Sequence, residues 1–233
     1  MENQSFNTSL LSFLKASPTP FHATSSMKTA LEEKGFIELK ENQDWDIQQG
    51  GQYFVRRNAS SIIAFTTPSL DFNKTGWRMM GAHTDSPCLK LKPNAHVNRH
   101  GYDQLGVEVY GGVLRHTWLD RDLSIAGRIS FSQSNGDIVS RLIDFKDPIA
   151  VIPNLAIHLN RGVVEGFSVN PQEELLPILG MGDNQFELET MLKAQLLAQY
   201  PELDVDAILD FELSLYDHQA PALVGLKQDF ICS

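Results

Sequence analysis

The chain has 233 residues, 42% apolar and 21% charged, which is ordinary for a folded protein that needs no disulfide or metal staple. Its formal net charge of -10 argues against a nucleic-acid or anionic-membrane partner, since both require clustered Lys and Arg. No run approaches the ~18 apolar residues of a membrane span, the amino-terminal stretch lacks the basic and apolar regions of a signal peptide, and two widely separated cysteines, Cys88 and Cys232, fit a reducing cytoplasm.

Phe6, Leu10, Leu11, Phe13 and Leu14 recur at helical spacing, and Pro18 and Pro20 end that helix by removing donors. A second helix is predicted from about His22 to Lys34, with Gly35 placed to cap it. From Tyr53 the pattern turns to strands. "QYFVRR" and "SIIAFTT" flank a hairpin-like "NASS", and "GWRMMGAH" reads as a third, mostly apolar strand of a covered sheet. Helices followed by such strands predict an α/β layer architecture.

After Pro93 the chain becomes polar and Gly-rich. Asn135-Gly136 then predicts a hairpin between "LSIAGRISFS" and "IVSRLIDF". "DPIAVIPNLAIHLNRGV" reads as a strand, a turn and a short helix. "DNQFELETMLKAQLLAQY" is the clearest helix, with Phe186, Leu188, Leu192, Leu196 and Leu197 along one side, and "AILDFELSLYD" alternates as a strand. The expected division from pattern alone is 1–93 followed by a separate β-rich domain over 94–215.

His83-Thr84-Asp85 follows the third expected strand. Such a pair is either a metal-ligating imidazole with a carboxylate that orients it, or a hydrogen-bonded turn. Glu173-Glu174 reads as a solvated turn in preference to a paired-carboxylate site. Asp120, Arg121 and Asp122 read as a loop with local ion pairs. His158 lies in an apolar stretch, where a core or interface role is the ordinary one. Lys90 and Lys92 are positioned near the HxD segment, and their ordinary reading is solvated strand residues. There is no P-loop, G-x-G-x-x-G, G-x-S-x-G or HExxH.

Six segments, "SPTPFHA", "YFVRRNASSIIAF", "GAHTDSPCLKLKP", "GVEVYGGVLRHTWLDRDLSIAGR", "IPNLAIHLNR" and "ELLPILG", resemble, in order, the M18 zinc metallopeptidases, the aspartyl aminopeptidases. The resemblance covers nearly the whole chain. It implies part of a zinc-peptidase-like α/β/α sandwich with an inserted β-rich dimerisation domain, after which 216–233 return into the first domain. It implies His83 as a zinc ligand, Asp85 as the carboxylate that orients it, and His158 as a substrate-binding residue acting in a neighbouring subunit's site. It further implies two Zn2+ per complete site, release of N-terminal Asp or Glu from peptides, and a homo-oligomer built from dimers into dodecamers.

The resemblance places the bridging Asp within an Arg-Leu-Asp-Asn segment and the general-base Glu and remaining ligands after it, and none of these is among these 233 residues. Glu173-Glu174 does not match that Glu pair, because "QEELLPILG" matches the inserted domain. The chain is therefore expected to be inactive alone. Two alternatives are a non-catalytic oligomerisation module derived from such a peptidase, and a metal-independent binding protein on a decayed peptidase fold.

Overall fold

Residues 2–161, 168–182 and 186–233 are described by the computed structural model, in two units, Met1–Ser86 and Pro87–Ser233. The first unit opens with two helices, α1 (Glu2–Lys15) and α2 (Pro20–Glu33). Thr19 caps α2 through its side chain, Pro20 occupies the first turn, where no donor is missed, and Gly35 leaves the helix at φ +82°. The three strands β1 (Ile37–Leu39), β2 (Gly51–Arg57) and β3 (Ser61–Thr67) form a mixed sheet, parallel between β1 and β2 and antiparallel between β2 and β3. Asn58 and Ala59, both at positive φ, make the tight turn that "NASS" predicts. Tyr53, Phe54 and Val55 are buried in β2.

The strand expected from "GWRMMGAH" is not formed. After the short helix α3 (Phe72–Thr75), residues 76–83 are irregular, and Met79 and Met80 are almost fully exposed. Apolar sequence alone does not make a strand. The ladder needs a neighbour, and among the described residues none pairs with this segment or with the outer edge of β3. Trp77 stacks on Phe72 at 4.8 Å and meets the edge of Phe65 at 6.1 Å, which keeps this end of the segment beside the sheet.

The second unit is built on a six-stranded antiparallel sheet. Its strands are β4 (Cys88–Arg99), β5 (Tyr102–Tyr110), β6 (Leu123–Ser132), β7 (Ile138–Asp144), β8 (Ile178–Met181) and β9 (Ile208–Asp217), in the order β7-β6-β9-β4-β5-β8. Single bridges from Ala150 to Leu123 and from Val151 to Ile178 stitch β6 to β8, so the sheet curls back on itself. The texture change at residue 93 falls inside β4. The β4–β5 hairpin turns at His100 and Gly101, both at positive φ. Gly127 sits where β9 comes closest to β6, and a Cβ there would overlap the Glu212 carbonyl.

Helix α4 (Leu188–Gln199) buries Leu188, Leu192 and Leu196 in the same core as Phe131, Ile129 and Leu213. The predicted start of this helix at residues 183–185 lies outside the described residues, and Phe186 precedes the first turn. Polar bonds hold α4 against β7: Gln195 and Gln199 donate to the Asp144 carbonyl, and Tyr200 donates to that of Leu142. Tyr216 of β9 donates to the Asp144 carboxylate. Burial pushes this phenol above its usual range, and the acidic partner adds to the effect.

The chain ends in an antiparallel pair, β10 (Ala222–Val224) with β11 (Phe230–Cys232), that exposes Leu226 and Phe230. Among the described residues, no helix is long and apolar enough to cross a membrane. The α/β fold expected from the sequence is the one observed, with the β-rich unit following the helical one.

Candidate functional site

His83 and Asp85 belong to the first unit and His158 to the second. His83 follows directly on the irregular segment 76–82. Its ring is 80% exposed, and Nδ1 lies 2.6 Å from the backbone carbonyl oxygen of Asp85. The Asp85 carboxylate is farther away, 3.5 Å from the same nitrogen. An imidazole that donates from Nδ1 presents the Nε2 lone pair outward, the tautomer a metal ligand needs. Between the two residues, the Thr84 hydroxyl donates to the Ser60 carbonyl at 2.7 Å and anchors the segment to the β2–β3 turn.

Among the described residues, no group of three or more His, Cys, Asp or Glu side chains is placed to hold a metal ion. His83 has the chemistry of one zinc ligand. One imidazole does not compose a zinc centre, which takes at least three protein ligands, and still less a two-zinc one.

His158 occupies a turn closed by the Leu159 N–H donating to the Ala156 carbonyl at 2.8 Å. Of the short helix expected here, the described residues form only this turn; residues 162 and 163 lie outside them. His158 is exposed, and so are its neighbours Leu155, Ile157 and Leu159. The segment is an apolar arm that carries an exposed imidazole, which excludes the core role and leaves the interface one of the two that its sequence suggests.

The remaining candidates have structural partners. Lys90 lies over the Tyr110 ring at 4.1 Å, and Lys92 donates to Gln172 at 2.7 Å. Arg121 pairs with Asp217 at 2.8 Å. Glu173 and Glu174 are exposed in a turn, where the Glu174 carboxylate accepts the Asn170 N–H. One polar cluster of three residues was not singled out by the sequence. Asp103, 4% exposed, accepts from His96 at 3.1 Å and Asn98 at 3.0 Å, and it meets both because β4 and β5 pair in register. It lies beside a mostly apolar cavity of about 500 Å³ lined by Phe145, Leu179 and Phe186.

Residues 13–233 match the model of the aminopeptidase I zinc metalloprotease family, M18. The chain is 53% identical over 227 residues to a probable M18 family aminopeptidase 2 of Pseudomonas putida KT2440 and 52% identical to one of Azotobacter vinelandii; each match covers 97% of this chain and 52% of the relative. The chain thus spans about half the length of the curated relatives it matches. Among solved structures it resembles a chain of the Ape4 and Nbr1 complex, with a TM-score of 0.84 at 35% identity over 96% of this chain and 46% of that one. It also resembles the S. cerevisiae mApe1 dodecamer, with a TM-score of 0.77 at 25% identity over 99% of this chain and 52% of that one.

Proposed function

The chain belongs to the M18 family of aminopeptidase I-type zinc metalloproteases, and we propose that it supplies the first metal ligand and the subunit-contact arm of a cytoplasmic aminopeptidase that releases N-terminal Asp or Glu. The observation that carries this reading is the family match over residues 13–233, which includes His83, Asp85 and His158. In it His83 is a zinc ligand through Nε2. Asp85 orients the ring, with its backbone carbonyl as the nearer acceptor and its carboxylate close by. His158 serves peptide binding in a neighbouring subunit of a homo-oligomer, a role supported by its place on an exposed apolar arm. The three-part division, with 94–215 as an insertion between 1–93 and 216–233, belongs to the same proposal.

Two-zinc hydrolysis is the reaction this family membership suggests. Among the described residues the donors do not compose that centre. The proposal is that turnover requires ligands and a general base from outside these 233 residues. Support comes from length, since the match stops at about half of each relative. The unpaired segment 76–83 and the open edge of β3 are where further strands would add. The exposed arm equally suits the second reading, a non-catalytic oligomerisation module.

Metal content separates the two. When the chain is co-produced with a polypeptide covering the remaining length of its relatives, the complex should retain zinc after gel filtration. His83→Ala should then lower that content. A complex that forms but holds no zinc favours the oligomerisation module.

A further inference from the structure

Asp120, just after the 3-10 turn at Arg115–Trp118, holds the stem that leads into the His158 arm. Asp120 donates its N–H to the Ile152 carbonyl at 2.9 Å. Its carboxylate Oδ1 accepts the Asn154 N–H, also at 2.9 Å. Asn154 is the last residue before the exposed run Leu155, Ile157, Leu159.

Asp120 makes its two bonds from φ +55°, a left-handed conformation that few non-glycine residues adopt and that Asp and Asn tolerate best. Its N–H and its carboxylate both bond the irregular segment 152–154 from that backbone conformation. A residue kept in this region by its surroundings commonly marks a position where direction matters.

We propose that Asp120 is a positioning residue that sets the direction in which the His158 arm leaves the six-stranded sheet. The contribution to catalysis rests on the in-trans role of His158 given above; the clasp itself does not. A loop of exposed apolar residues has little packing to fix it, so its course is determined at its stems. Asp120 fixes the near stem through one acceptor atom and one unusual backbone angle.

Amide hydrogen exchange on the 233-residue chain tests this with three variants. Asp120→Ala removes the acceptor and disfavours the backbone angle. Asp120→Gly permits the angle and lacks the acceptor. Asp120→Asn retains both. The Asn154, Leu159 and Asn160 amides should exchange about fivefold to tenfold faster in the Ala and Gly variants and near the native rate in the Asn variant. The β6 amides should not change. Native rates at Asn154 in Asp120→Ala with β6 still protected would overturn the proposal, as would full restoration by Gly. If Asp120→Ala also loosens β6, the Asn and Gly variants decide: Asn native and Gly fast supports the clasp, and equal rates in both oppose it. His158→Ala should leave all these rates unchanged, so failure of the His158 role shows only in peptidase assays.

Discussion

His83 Nδ1 is 2.6 Å from the Asp85 backbone oxygen and 3.5 Å from its carboxylate, so the ring is oriented first by main chain and second by side chain. Loss of the side chain at 85 therefore leaves the nearer acceptor in place. In the assembled enzyme, Asp85→Ala should weaken zinc binding by about tenfold, at the low end of the range for partners behind a ligand. His83→Ala should lose the ion. Competition with a chelator measures both, and equal losses would show that the carboxylate is the orienting group.

His158 acts in the neighbouring subunit in this account, so His158→Ala should lower kcat/KM by about tenfold to a hundredfold, or about 1.4 to 3 kcal/mol. The stronger test mixes subunits. Oligomers of His158→Ala and of His83→Ala should each be impaired, and mixed oligomers should regain activity, because a native arm then meets a native ligand set. Mixtures no better than the average of their parents would place His158 in its own subunit's site.

Phe131 is fully buried in the second unit's core. Phe131→Ala should cost about 3–5 kcal/mol, read as a lower midpoint in urea. Gly127→Ala should also destabilise, since the added methyl group meets the Glu212 carbonyl. A neutral result at Gly127 would mean that β6 and β9 separate at that point without loss.

Burial raises the Glu38 carboxyl, but Arg56 at 2.8 Å and Lys40 at 3.0 Å outweigh it and hold the group below its usual range. A depressed carboxylate stabilises the fold fully above its unfolded value near 4.5 and ceases to do so as pH falls through the lower folded value. Glu38→Gln should thus destabilise at neutral pH, by less than about 1 kcal/mol for so partly solvated a network. The two urea midpoints should converge as the medium becomes strongly acid. A gap that persists there would be one of packing and not of charge.

Much of this architecture is legible in the sequence because local chemistry and tertiary packing agree. Pro20 and Gly35 bracket α2, Asn135-Gly136 turns β6 into β7, and the Leu188, Leu192, Leu196 spacing marks the buried face of α4. The β4–β5 hairpin is harder to see, because His100-Gly101 lies in a polar stretch with a register shift between Leu91 and His96. "GWRMMGAH" fails as a strand for a different reason: its apolar pattern needs a neighbour, and among the described residues no strand pairs with it. At the candidate site, residue type and family context single out His83, Asp85 and His158. The clasp at Asp120 is invisible in sequence, since its meaning lies in a positive φ and two bonds to an irregular segment more than thirty residues away.

The central claim is that these 233 residues contribute to a peptidase site without completing it. The direct measurement is release of arylamine from an N-terminal Asp-arylamide by the purified, zinc-saturated chain, alone and with a polypeptide covering the rest of its relatives' length. The account predicts no turnover alone and turnover with the partner, lost again in His83→Ala. Turnover by the chain alone, abolished by His83→Ala, would contradict it.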